Sequence, residues 1–157
     1  MTLQGVLAFV HVVGVVLWLG GGFAAMVAAI AARRESPAAR AGVFRALGLV
    51  HAWLVGPGAL LTVASGLALV MVFVSADQGE RLGLPAISVM MGAGLVAGLL
   101  ALFVGLPTSQ KLAALAVADD EGRFPPAFER LRTRLAIVSS VAGMLALVAL
   151  YFGVVGA

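Results

Sequence analysis

Four long apolar runs dominate the chain, and the charges collect in the short stretches between them. The runs extend from about Leu3 to Ala32, Leu47 to Val74, Leu84 to Leu106 and Leu135 to Val155. None holds an Asp, Glu, Lys or Arg. Each reaches the roughly 20 residues that a helix needs to cross the hydrocarbon core of a bilayer. In lipid only helices and closed barrels satisfy the backbone. Barrel strands alternate apolar and polar positions, and these runs do not. The pattern therefore predicts an all-α fold, an integral membrane antiparallel four-helix bundle, forming one domain over residues 1–157.

Local residues place the helix ends. Ser36-Pro37 reads as an N-cap followed by proline at the first helical position, so the second helix starts near Pro37, well before its apolar run. Gly56-Pro57-Gly58 interrupts that run and predicts a kink. The third helix is expected to continue past Pro107 toward Ala118. Asp119 to Gly122 should form an acidic turn, and Pro125-Pro126 should open the fourth helix. No internal repeat or low-complexity linker is evident. The first run lacks a basic leader and is far longer than the apolar region of a signal peptide. It is read as a retained helix, although Ala28 to Ala32 looks a little like a cleavage site.

Composition sharpens the class. Hydrophobic residues make up 62% of the 157 and charged residues 11%, and mean hydropathy is +1.13. A soluble domain carries roughly a quarter of its residues as charges, and a soluble fold of this size cannot hide so large an apolar excess. The lipid bilayer is the expected partner. The absence of cysteine excludes disulfides, thiolate metal sites and iron–sulfur clusters. A net charge of +3 can point to nucleic acid. Here the cations flank the apolar runs, so they read as topology signals and headgroup contacts, and no nucleic-acid partner is expected.

Loop one holds Arg33, Arg34, Arg40 and Arg45, and loop three holds Lys111, Arg123, Arg130, Arg132 and Arg134. Loop two holds only Arg81. The positive-inside rule puts loops one and three in the cytoplasm and both termini outside, in a multi-pass arrangement. Gly94 and Gly98 on the third helix, and Gly20, Gly21, Gly22 and Ala24 on the first, allow helix backbones to approach closely. They serve bundle packing or, alternatively, a homo-oligomer seam. Tyr151 reads as an interface anchor.

Candidate chemistry is confined to two histidines. The sequence shows no phosphate-binding glycine loop, no paired membrane carboxylates and no nucleophile with a nearby base, so no catalytic residue is assigned. His11 shares a helical stripe with Gly14, Val15, Trp18 and Gly22. His51 shares one with Val55, Gly58, Thr62 and Ser65. An ionisable residue inside a membrane is a functional candidate by default, and neutral imidazole is a common metal and haem ligand.

Folding the helices back on one another puts His51 level with about residue 25. That leaves His11 about 14 residues, or about 21 Å, away, too far for both histidines to hold one metal. The same arithmetic puts Ser65, Met90, Met91 and Met144 near the level of His11. Histidine with thioether partners can hold haem iron or copper(I). The simpler reading is a neutral His11 bonded to Ser65 or a carbonyl, with methionines filling gaps. His51 falls near Pro107 to Lys111 and Arg130, where a polar interface residue is expected. Thr62 and Ser65 are expected to bond the carbonyls four residues earlier.

The stretch His11 to Gly21, HVVGVVLWLGG, with Val43 to Leu69, VFRALGLVHAWLVGPGALLTVASGLAL, and FVGLPTSQKL on the third helix, resembles a bacterial membrane family. That family is known as domain of unknown function number twenty-two sixty-nine, and the resemblance covers most of the chain. It implies the bacterial inner (cytoplasmic) membrane. More distantly the chain is similar to HemJ-type protoporphyrinogen oxidases and copper-resistance D-type membrane proteins. They share a helix-one histidine, a nearby Trp, and a proline followed by small and hydroxyl residues on helix two.

In the HemJ type that histidine is implicated in binding haem b, which the match carries to His11 alone. The lysine expected on the third helix of that type has no counterpart between Leu84 and Leu106. The expectation is thus a redox-linked membrane protein holding haem b through His11, with Trp18 and Gly20 to Gly22 shaping the space and Ser65 orienting the ring. Met91, Met144 and His51 are further candidate cofactor contacts. Arg81 is the one outer arginine available for propionates, and the arginine-rich face lies beyond His51. The alternatives are a copper-handling component using His11 and methionines, and a non-catalytic scaffold or assembly partner.

Overall fold

The computed structural model describes residues 2–76 and 79–155, with Arg81 described by its backbone. Four helices in it are long and apolar enough to cross a membrane: Leu3–Arg34, Pro37–Ser75, Pro85–Ala114 and Pro126–Val155. The fold is the expected all-α membrane bundle. The first span is α1 (Leu3–Ala31), tightened by a 3-10 turn at Ala32–Arg34. Thr2 caps it, its hydroxyl accepting the Gly5 N–H at 3.2 Å. The second span joins α2 (Pro37–Val50) to α3 (Gly56–Ser75) through a π turn, His51–Val55. Ser36 is its N-cap, as expected, accepting the Ala39 N–H at 3.4 Å. The third span joins α4 (Pro85–Leu100) to α5 (Leu106–Ala114) through a second π turn, Ala101–Gly105. The last is α6 (Pro126–Val155), opened by proline as the sequence indicates.

The two π turns have one physical origin. Proline lacks an N–H, so Pro57 and Pro107 leave the carbonyls of Trp53 and Phe103 without their helical donors. Each helix inserts one extra residue just before its proline. Gly56 N–H bonds the His51 carbonyl and Leu106 N–H bonds the Ala101 carbonyl, one residue further back than in an α-helix. The interruption expected at Gly56-Pro57-Gly58 thus takes the form of a widened turn, and the helix runs on to Ser75. The two turns face each other: a Cβ at Gly56 would lie 3.2 Å from Leu106 Cδ2. Trp53 and Phe103, each four residues before its proline, project outward at 76% and 72% exposure.

The helices pack as two close antiparallel pairs, α1 with α3 and α4 with α6, while α2 and α5 meet toward the arginine-rich end. Small residues dominate the interior. A middle cluster contains Trp18, Val55, Ala59, Ala97, Ala101 and Ala146. A second cluster, nearer the charged loops, contains Ala25, Phe44, Leu47, Leu112 and Phe128. Phe128 stands edge-on to Phe44 at 5.1 Å and stacks on Phe124 at 4.4 Å. Arg40 covers both Phe124 and Phe128 and pairs with Glu129 at 2.6 Å.

The core stops short of the end away from the arginines. Among the described residues none is buried in α1 before Gly14, in α3 after Ser65, in α4 before Ala97 or in α6 after Ala149. Contact persists within each pair there, since His11 lies against Gly66 and Met90 against Gly153.

Candidate functional site around His11

The site begins with a seam where two backbones touch. A Cβ at Gly58 would come 2.5 Å from the Trp18 nitrogen and 2.8 Å from the Gly14 carbonyl oxygen. One at Gly14 would come 2.7 Å from Thr62 Oγ1 and 2.9 Å from the Gly58 oxygen. Only glycine permits this approach. Thr62 donates its hydroxyl to the Gly58 carbonyl at 2.8 Å, the backward bond expected of it.

One turn beyond the seam, His11 Nδ1 lies 3.2 Å from Ser65 Oγ. Ser65 donates its single hydroxyl hydrogen to the Leu61 carbonyl at 2.5 Å. It can therefore only accept from the imidazole, so Nδ1 carries the hydrogen and Nε2 keeps its lone pair. The ring rests on Gly66, whose Cβ would be 3.1 Å from His11 Cε1. His11 is half-buried, at the point where the bundle core ends. An imidazole held by one nitrogen leaves the other as the atom through which it could coordinate.

The other candidates scatter. Trp18 is 5% exposed and belongs to the middle cluster, two turns from His11. Gly21 packs on Leu54 and Val55, whereas nothing in the chain comes within 4 Å of a Cβ at Gly20 or Gly22. Met91 is half-buried on α4, and Met144 is 66% exposed on α6. Met90 sets its sulfur against Gly153. The Arg81 side chain lies outside the described residues. No group of three or more His, Cys, Asp or Glu converges among the described residues.

His51 lies at the level expected of it and is enclosed within the bundle. It is 6% exposed, and its Nδ1–H donates to the Leu47 carbonyl at 2.9 Å. The π turn and the close approach of α5 enclose it. Gln110 on α5 donates to the Gly48 carbonyl at 2.8 Å, and Thr108 and Ser109 are buried alongside. Because Val55 packs on Gly21, His51 is level with about residue 25. The two histidines lie about 21 Å apart along the bundle, as the folding-back arithmetic gives.

Gly66 and the Leu61 carbonyl were not singled out from sequence. A signal existed for Gly66: glycine inside a helix costs about 1 kcal/mol, and one amid Leu67 and Leu69 marks a close approach.

Four apolar helices closed by glycine seams, with charge confined to their ends, define a small multi-span integral membrane protein. Residues 5–155 match the family described as Predicted integral membrane protein (DUF2269), and the chain belongs to that family. No curated protein and no solved structure matches it significantly.

Proposed function

We propose that the protein binds haem b in the bacterial inner (cytoplasmic) membrane, where His11 Nε2 would hold the iron, with a redox-linked role. The observation that supports this most is the chain from His11 through Ser65 to the Leu61 carbonyl. It fixes the tautomer, orients the ring and makes Nε2 a better donor. The residues fit the group on one side only. The Gly14–Gly58 seam leaves no room for a macrocycle between α1 and α3. Beyond Ser65 no described residue of α3 is buried, and none of α1 before Gly14, so His11 lies at the edge of the α1–α3 packing. A second axial histidine is absent at this level, since His51 is two layers away. When bound, haem supplies one-electron chemistry. The chain's part is to present one neutral imidazole and keep water from its buried side.

The test is the Soret absorbance per protein after expression with a haem precursor. Wild type and His51→Ala should carry the band and His11→Ala should lose it. Ser65→Ala should weaken haem affinity by about 10–100-fold. A wild-type protein without haem, or His11→Ala at full occupancy, overturns the assignment. Stoichiometric copper without a Soret band selects the copper alternative, and neither ligand selects the scaffold.

A further inference from the structure

The arginines at the charged end divide into two groups. Arg123 holds Asp119 at 3.0 Å and also pairs with Glu121. Arg45 donates to the Ala116 carbonyl at 2.8 Å. Arg40 and Arg132 share Glu129, at 2.6 and 2.7 Å. Arg130 and Arg134, like Arg33 and Arg34, have no ion pair or side-chain hydrogen bond among the described residues. Arg130 and Arg134 lie one turn apart on α6, both exposed, and like charges at that spacing repel. With Glu129, Thr133, Ile137 and Val138 they line an open groove along the helix. Glu129 is the one carboxylate of that groove, and two other arginines already engage it. The groove is thus a shallow, mostly apolar strip on one face of α6, with the Arg130 and Arg134 guanidinium groups uncompensated at its upper end.

Depth gives this arrangement a meaning. Leu135 to Val155 carries no charge and measures about 31 Å at 1.5 Å per residue, matching a hydrocarbon core of about 30 Å. Arg134 thus lies at the edge of the core and Arg130 about 6 Å further out, in the headgroup layer. Ile137 and Val138 lie at the level of the first acyl carbons. We propose that this groove binds an anionic phospholipid. Its phosphate bridges the Arg130 and Arg134 guanidinium groups with the Thr133 hydroxyl as a further donor, and its acyl chain runs over Ile137 and Val138. The site stands apart from His11 and does not depend on any cofactor.

Native mass spectrometry of the full-length protein in nonionic detergent tests this, with phosphatidylglycerol and phosphatidylcholine as probes. Wild type should retain phosphatidylglycerol preferentially. Arg130→Gln/Arg134→Gln should lose about 30-fold in retention, five- to sixfold per arginine. Arg33→Gln/Arg34→Gln removes the same charge from the same end but outside the groove, and should change retention far less than the α6 pair. Glycerol phosphate, which lacks the chains, should not displace the lipid. Equal losses from the two double variants would mean diffuse charge and overturn the site. So would displacement by glycerol phosphate, or equal retention of phosphatidylcholine. Circular dichroism confirms folding, and Arg130→Lys/Arg134→Lys keeps the charge while losing the forked geometry. It should fall between wild type and the Gln pair, and retention equal to wild type refutes a forked phosphate bridge.

Discussion

Replacing Gly58 with alanine should part α1 from α3 and, with them, His11 from Ser65. The added Cβ would sit 2.5 Å from the Trp18 nitrogen and 2.8 Å from the Gly14 oxygen. An ordinary contact needs about 3.5 Å, so the helices must separate by roughly 0.7–1 Å. Both obstructing atoms are backbone, and no side-chain rotation relieves them. The His11–Ser65 distance of 3.2 Å then grows to about 4 Å, beyond hydrogen bonding.

Overpacking costs about 1–3 kcal/mol and the lost hydrogen bond about 1 kcal/mol. Alanine's helix propensity returns about 1 kcal/mol. The net destabilisation is near 2 kcal/mol, or about 4–8 °C at 2–4 °C per kcal/mol for a chain of this size. Gly14→Ala should behave alike, and the double variant should lose less than the sum because the same separation serves both. Gly20→Ala and Gly22→Ala meet nothing within 4 Å and should be neutral or stabilised by up to about 1 kcal/mol. The assay is the fraction of monodisperse protein after heating, in one detergent throughout. A Gly58→Ala protein melting at or above wild type, or a Gly20→Ala protein falling as far, refutes the reasoning.

Gly122→Ala should loosen the third loop: φ is +78° there and a Cβ would meet Pro37 Cγ at 2.9 Å. The left-handed conformation alone costs about 1–2 kcal/mol, readable as faster proteolysis in residues 117–124 than in wild type. The Asp119 carboxylate accepts the Arg123 N–H, then the Arg123 guanidinium, and also the Glu121 N–H, which together hold it below the usual value of 3.8. A depressed carboxylate stabilises the turn fully above its unfolded pKa and loses that contribution as pH falls through the folded one. Amide protection at Glu121 and Arg123 should thus be retained from neutral pH to about pH 4 and decline below it, with Asp119→Asn removing the response. A loss of protection between pH 5 and 7 contradicts this. Reporter fusions should show the C-terminus outside and the residue 119–122 turn in the cytoplasm, because nine of ten cations lie in loops one and three. A C-terminal reporter active only in the cytoplasm refutes that orientation.

The sequence by itself determined the four spans, the capped start at Ser36-Pro37, the opening of α6 at Pro126 and the common level of His11 and Ser65. These follow from length, charge placement and a fixed rise per residue, which are one-dimensional quantities. Tertiary structure decided how each helix is turned. Gly21 packs inward while Gly20 and Gly22 face out, Met144 is exposed and His51 is enclosed. It also decided that Pro57 and Pro107 widen their helices into π turns, and that Glu129 takes Arg40 and Arg132, leaving Arg130 and Arg134 without an ion pair among the described residues. The reason is the solvent. In water an apolar stripe marks the buried face of a helix. In lipid both faces are apolar, so facing is set by which small residues let two backbones touch, and that depends on the partner helix.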